Sequence, residues 1–304
     1  MTRSTLVVWA LTDGKAGHEN QTRGLLQALA RLHPLNAHWI SVPPLRKVLT
    51  DLLQRRFVPG QELPDPVLLV GAGHGTHLPL LAARRARGGR IALLMKPTLP
   101  RAWFDLCIVP EHDVVRGDNV LVTRGALNSV SATADKDAQA GLILVGGPSR
   151  HHDWDETALL AQVREIVARD TAIRWMLTTS RRTPTSTLTH LNKLRAANLR
   201  VVPFEATDRS WLPAQLARAT RVWVTEDSAS MLYEALTARA ATGVLPVPAK
   251  GDSRIARGVA ALGRDGLITY FSEWQQGKAL APPASPSNEA ARVAAWISER
   301  WLKN

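Results

Sequence analysis

At 304 residues the chain is long enough for two domains of ordinary size or for one large α/β domain. Its 45% hydrophobic and 21% charged residues exclude a largely disordered chain, and its single cysteine, Cys107, excludes an intrachain disulfide. Lys and Arg number 38 against 26 Asp and Glu, a net charge of +12 that selects anionic partners. Nucleic acid is disfavoured, because the basic residues are dispersed and form no zinc-finger spacing, RNP-type aromatic strand or contiguous basic arm. An anionic membrane surface or a phosphorylated small molecule fits the same sign of charge.

The first apolar run, Leu6 to Leu11, reads as a strand, too short to span a membrane and without a signal-peptide cleavage pattern. The expected compartment is therefore the cytoplasm, with peripheral contact at the inner face of the cytoplasmic membrane as its extension. Further strands are expected at His38 to Val42, Val67 to Val70, Ile91 to Met95, Leu106 to Val109 and Val120 to Thr123. Their near-continuous apolar character suits a parallel sheet buried on both faces, and Glu19 to Leu32 and Thr76 to Arg87 have helical spacing between them. Cys107 lies inside one of these runs and reads as a packed thiol.

The apolar pattern lapses over residues 131 to 141, which read as an exposed connector. It restarts with expected strands at Leu142 to Val145, Ile173 to Thr178, Arg200 to Phe204, Val222 to Thr225, Val244 to Val247 and Leu267 to Phe271. A Pro-rich break at 281 to 286 precedes a helix with Ala290, Val293, Ala294, Ile297 and Trp301 on one face. The expected division is 1–135, 136–284 and a terminal helix within 285–304 that packs back on the N-terminal domain.

Ligands of open parallel sheets bind beyond the carboxyl ends of strands, so the loops after each run carry the functional signal. The first is Thr12-Asp13-Gly14-Lys15-Ala16-Gly17-His18-Glu19-Asn20-Gln21, neither a Walker A sequence nor a Rossmann fingerprint. Its glycines permit a tight strand-to-helix turn, Lys15 supplies a mobile charge, and Asp13 and His18 are candidate bases for a hydroxyl proton. The second, Gly71-Ala72-Gly73-His74-Gly75-Thr76-His77, offers close backbone approach to a ligand. His74 and His77 lack an acidic or cysteine partner at ligand spacing, so no metal site is expected.

In the second half, Gly146-Gly147-Pro148-Ser149-Arg150 and Thr178 to Pro184, with Ser180, Arg181 and Arg182, offer hydroxyls and guanidinium forks suited to phosphate oxygens. The run Val222 to Leu236 passes from strand directly into helix. Asp227 or Ser228 can cap that helix, its first N–H groups with Ser228 and Ser230 make an anion site, and Glu234 follows about two turns along.

The segment Thr225 to Glu234 resembles the donor-site strand-to-helix element of GT-B glycosyltransferases. The motifs at 12 to 21, 146 to 149, 179 to 184 and 225 to 231, in that order, resemble the Elm-type mitochondrial-fission family, mostly bacterial and predicted to be enzymatic. The resemblance implies two Rossmann-like α/β domains whose parallel sheets face across a cleft. It implies Ser228, Ser230 and Glu234 at a nucleoside diphosphate sugar, and Gly146, Gly147, Ser149, Ser180 and Arg181 beside its phosphates. Gly14, Lys15, Gly17, His18, Gly73 and His74 would face the acceptor. Glu226-Asp227 departs from the pattern, since two carboxylates repel a diphosphate unless they face away, cap the helix or act on a sugar hydroxyl.

The expected reaction is sugar transfer to an unknown acceptor without metal or other cofactor. A nucleotide-sugar epimerase and a non-catalytic membrane or protein recruiter are the alternatives. For a recruiter or a lipid-linked acceptor the relevant stretch is Pro44 to Phe57, whose apolar stripe between basic residues suits either a sheet-covering helix or one lying on an anionic membrane.

Overall fold

The computed structural model describes residues 5–133, 135–251, 253–284 and 288–302. The chain divides into two compact units, Met1–Ser129 with Asn288–Asn304, and Val130–Ser287.

The first unit runs β1 (Leu6–Thr12), α1 (Ala16–Ala30), β2 (Leu35–Ser41), α2 (Leu45–Leu53), β3 (Leu68–Ala72), α3 (His77–Arg87), β4 (Arg90–Leu94), β5 (Leu106–Pro110) and β6 (Val120–Thr123). These strands form a six-stranded sheet in the order β2-β1-β3-β4-β5-β6, every pairing parallel. Alternation sorts the side chains: Val8, Ala10, Leu68 and Val70 pack beneath α1, while Trp9, Leu11 and Leu69 pack beneath α2 and α3.

The second unit runs β7 (Asp137–Leu144), α4 (Glu156–Arg169), β8 (Arg174–Thr178), α5 (Thr185–Asn192), β9 (Leu199–Val202), α6 (Trp211–Arg218), β10 (Ala219–Thr225), α7 (Ala229–Thr237), β11 (Ala241–Leu245), α8 (Arg254–Arg264), β12 (Thr269–Tyr270) and α9 (Phe271–Gln275). Its six-stranded sheet is also parallel, ordered β12-β11-β10-β7-β8-β9. Leu142, Leu144, Val222 and Val224 form one core face, and Ile143, Val145, Trp223 and Trp175 the other.

The last helix, α10 (Glu289–Ile297), belongs to the first unit. Ala290, Val293, Ala294 and Ile297 enter the same cluster as Leu25, Leu26 and Leu29 of α1, and Trp301 packs against it. Asn288 caps it by accepting the Ala291 N–H at 2.9 Å.

Three expectations change. The stretch 131 to 141 is not wholly a connector: β7 starts at Asp137, whose carboxylate takes Arg174 of β8 at 2.7 Å, so side-chain ties hold a polar run in the ladder that periodicity does not mark. Val130 is 3% exposed in the second unit's core, which is why that unit begins there. The run Leu267 to Phe271 yields a strand of only two residues, because Glu273 accepts the Tyr270 N–H at 2.9 Å and Phe271 opens α9. Phe204 likewise leaves its strand for a 3₁₀ turn whose amide donates to Thr179 Oγ1 at 3.0 Å. Of the Pro-rich break, 285 and 286 lie outside the described residues.

Candidate functional site

Each sheet has one point where the strand order reverses, and both points carry the loops singled out by sequence. In the first unit β2 lies on one flank of β1 and β3 on the other, so the loops after β1 and β3 diverge to opposite faces at their carboxyl ends. In the second unit β8 and β10 flank β7 in the same way.

The loop after β1 is tied by side chains. Thr12 Oγ1 accepts the Gly14 N–H at 3.0 Å and donates to Glu19 Oε1 at 3.0 Å, while Gly14 holds φ +77°. Asp13, its side chain 8% exposed, lies 3.0 Å from Lys15 Nζ and from His18 Nδ1. Burial raises the Asp13 pKa, but the hydrogen bonds from Lys15 and His18 outweigh it and hold the carboxyl below its ordinary value. The carboxylate can only accept, so Nδ1 carries the proton and Nε2 is the ring nitrogen left to accept one. Among the described residues no hydrogen bond engages His18 Nε2.

The loop after β3 locks this pair. A Cβ at Gly73 would fall 2.3 Å from the His18 ring, and one at Gly75 would fall 3.3 Å from Asp13. Gly73 thus admits the chain's own imidazole, a different use from the close ligand approach read in sequence. His74 is exposed, and Gly17 meets nothing within 4 Å. His77 turns away into the core, where Thr98 Oγ1 lies 3.1 Å from Nδ1 and burial, then His74, push its pKa down to about 4.

In the second unit the Gly-Gly loop has its amides occupied from within. Gly146 N–H donates to Thr225 Oγ1 at 2.8 Å and Gly147 N–H to Asp227 Oδ2 at 3.1 Å. Asp227 therefore does not cap α7: its buried carboxylate also takes Arg182 Nη2 at 2.6 Å, while Arg182 Nη1 donates to Gly147 O at 2.6 Å. A Cβ at Gly146 would meet Asp227 Oδ2 at 2.2 Å, and one at Gly147 would meet the Arg182 carbonyl oxygen at 2.2 Å. Glu226 is turned elsewhere, its pKa raised by burial against a hydrogen bond from the Val247 amide. Both carboxylates that would repel a diphosphate are thus neutralised or diverted.

Ser228 occupies the N-cap of α7 without a side-chain capping bond, and among the described residues no side chain accepts from the first-turn N–H groups of that helix. Its hydroxyl lies 3.5 Å from that of exposed Ser230. Glu234 is buried further along α7. Ser149 Oγ accepts the N–H groups of His151 and His152 at 3.1 Å, and Ser180 closes a turn with Thr183 through an N–H to Oγ1 bond of 2.8 Å. Arg181 stacks on Phe204 at 5.1 Å.

Sequence reasoning underrated Arg182, Thr183, Thr225 and His152. Thr183 Oγ1 donates to Gly146 O at 2.5 Å, and fully buried His152 has no partner for either ring nitrogen among the described residues, its pKa lowered by burial against the pull of Asp227. Arg182, Thr183 and Thr225 bond across loops, which sequence spacing does not report.

The sequence profile of a family described as Mitochondrial fission ELM1 matches residues 16–301. Among curated proteins no sequence matches. The fold is similar to a Listeria monocytogenes protein described as a UDP-N-acetylglucosamine 2-epimerase, at 12% identity and TM-score 0.61 over 99% of this chain and 98% of that one. It is similar to UDP-GlcNAc 2-epimerase from Neisseria meningitidis, at 11% identity and TM-score 0.52 over 99% and 100%. The glycosyltransferase SnogD from Streptomyces nogalater aligns at 13% identity and TM-score 0.49 over 98% and 96%. At 11–12% identity the likeness to the Listeria and Neisseria proteins bears on fold alone, and the fold is GT-B. No helix among the described residues is long and apolar enough to cross a membrane.

Proposed function

We propose that this chain, which belongs to the mitochondrial fission ELM1 family, is a glycosyltransferase that moves a sugar from a nucleoside diphosphate sugar to an acceptor hydroxyl without a metal. The observation that carries the reading is the Asp13–His18 pair at the switch point of the first sheet, with His18 Nε2 unengaged. In the reaction His18 Nε2 takes the acceptor hydroxyl proton as the oxygen bonds to the anomeric carbon. The bond from that carbon to the diphosphate breaks with its electron pair on the departing phosphate oxygen. The N-terminus of α7 with Ser228 and Ser230 supports a matching role in receiving that charge, since its first-turn amides have no side-chain cap.

The test is His18→Ala with a panel of UDP, GDP, ADP and CMP sugars. Nucleotide-dependent thermal stabilisation should persist, about 2.7 kcal/mol at ~100 times the dissociation constant, while turnover falls on the order of 10²-fold or more. An unchanged rate removes His18 as the base. The second reading, a nucleotide-sugar epimerase, is supported by the names of the Listeria and Neisseria proteins. Formation of a new epimer from a UDP-sugar with no acceptor present would replace transfer by epimerisation.

A further inference from the structure

The helix α2 solves one burial problem and leaves another open. Val48 and Asp51 are buried and Leu52 packs into the cluster around Trp9 and Phe57, so one face covers the sheet. At about 100° per residue, Leu45, Leu49 and Leu53 form a second stripe spanning an arc of roughly 80°. Those three leucines are 60%, 45% and 82% exposed, and Val58 just beyond the helix is 51% exposed. A stripe of aligned leucines on a nine-residue helix is a different matter from scattered surface apolar residues.

The charges around the stripe are unspent. Arg46, Lys47, Arg55 and Arg56 are all exposed, and among the described residues only Arg56 has an ion-pair partner, Asp51 at 3.3 Å. Arg46 and Lys47 sit in the first turn of α2, which holds no acidic residue, so they oppose the helix dipole instead of complementing it. Neither folding nor an internal ion pair accounts for them. Cations beside an outward leucine stripe complement one surface above others, an anionic lipid bilayer, where leucines enter the acyl boundary and the cations meet headgroup phosphates.

We infer that α2 docks this protein on anionic membrane surfaces, with Leu45, Leu49 and Leu53 inserted and Arg46, Lys47 and Arg55 against the headgroups. The inference stands apart from the transferase reading: it rests on α2 alone, and its readout requires no nucleotide or turnover.

The experiment is co-sedimentation of the whole chain with vesicles of phosphatidylcholine containing about 30% phosphatidylglycerol, against pure phosphatidylcholine, at about 0.1 M salt. The wild type should pellet with the anionic vesicles only. Leu45→Ser/Leu49→Ser/Leu53→Ser should lose partitioning on the order of 100-fold or more, with its thermal melt retained because the positions are exposed. Arg46→Gln/Lys47→Gln/Arg55→Gln, which leaves the leucines in place, should lose roughly fivefold for each charge removed. Absence of the wild type from the anionic pellet overturns the inference, as does binding that neither variant weakens. Equal binding to pure phosphatidylcholine overturns the charge assignment. A wild-type dimer in sedimentation velocity that the leucine variant loses would show that a second copy covers the stripe, and would also overturn it.

Discussion

Arg182 Nη2 lies 2.6 Å from Asp227 Oδ2, and this contact joins three strand-end loops of the second unit, because the same carboxylate accepts the Gly147 N–H and the same guanidinium donates to the Gly147 carbonyl oxygen. The Asp227 side chain is fully buried while that of Arg182 is 41% exposed. Arg182 is therefore the group that supports a buried carboxylate beside the start of α7.

Removing Arg182 should cost more than neutralising Asp227. Arg182→Ala leaves a buried carboxylate with one amide and is expected to destabilise by about 3 kcal/mol, at the low end for a broken buried pair because the arginine is partly solvated. Arg182→Ala/Asp227→Asn should recover at least half of that loss in urea denaturation. Additive losses would show that the pair is not the unit of stability.

Glycine positions in the two loops should respond in opposite directions. Gly147→Ala drives a Cβ toward the Arg182 carbonyl and should cost about 2–3 kcal/mol. Gly17→Ala, in the first turn of α1 with nothing within 4 Å, should stabilise by about 0.5–1 kcal/mol. If the first loop receives an acceptor against bare backbone, Gly17→Ala will slow turnover while raising the melting temperature.

Acid should weaken the fold through His77 well before the carboxylates protonate. Its folded-state pKa of about 4 lies below the ordinary 6.5, so between those values the unfolded chain binds the extra proton and stability falls as pH falls. His77→Asn should flatten that slope by up to about 1.4 kcal/mol per pH unit. Buried His152, lowered in the same direction, leaves a residual slope.

Asp13 gives the opposite group the same acid limb at lower pH. Its depressed pKa makes its contribution complete above the ordinary value of 3.8 and lost as pH drops below it. Asp13→Asn should be less stable at neutral pH and lack that final decline. It should also lower the chemical rate on the order of 10²-fold or more with substrate binding retained, since His18 loses the acceptor that fixes its tautomer. A proportional rise in KM with kcat unchanged would make Asp13 a binding residue instead.

How much of this was legible beforehand can be followed residue by residue. Leu6 to Leu11 and Val222 to Thr225 declare buried parallel strands because both faces of such a strand are apolar, and α10 declares its packing face through Ala290, Val293, Ala294 and Ile297. The loops after β1, β3, β7, β8 and β10 could be named as the informative ones, because strand ends carry the ligand chemistry of this fold class. Asp13 and His18 could be named together, since five residues bring a strand end and a first helical turn side by side.

What only the tertiary structure decided was which polar groups are already spent. Gly146 and Gly147 look like a phosphate cradle in sequence, yet their amides go to Thr225 and Asp227, seventy-nine and eighty residues away. Asp227 reads as a helix cap and is the anchor of Arg182, and Gly73 reads as ligand space and is room for His18. Sequence determines which side chains are present and their local periodicity, and with them the two α/β halves. Hydrogen-bond partners between loops depend on the strand order that reverses at β1 and β7, which no local pattern contains.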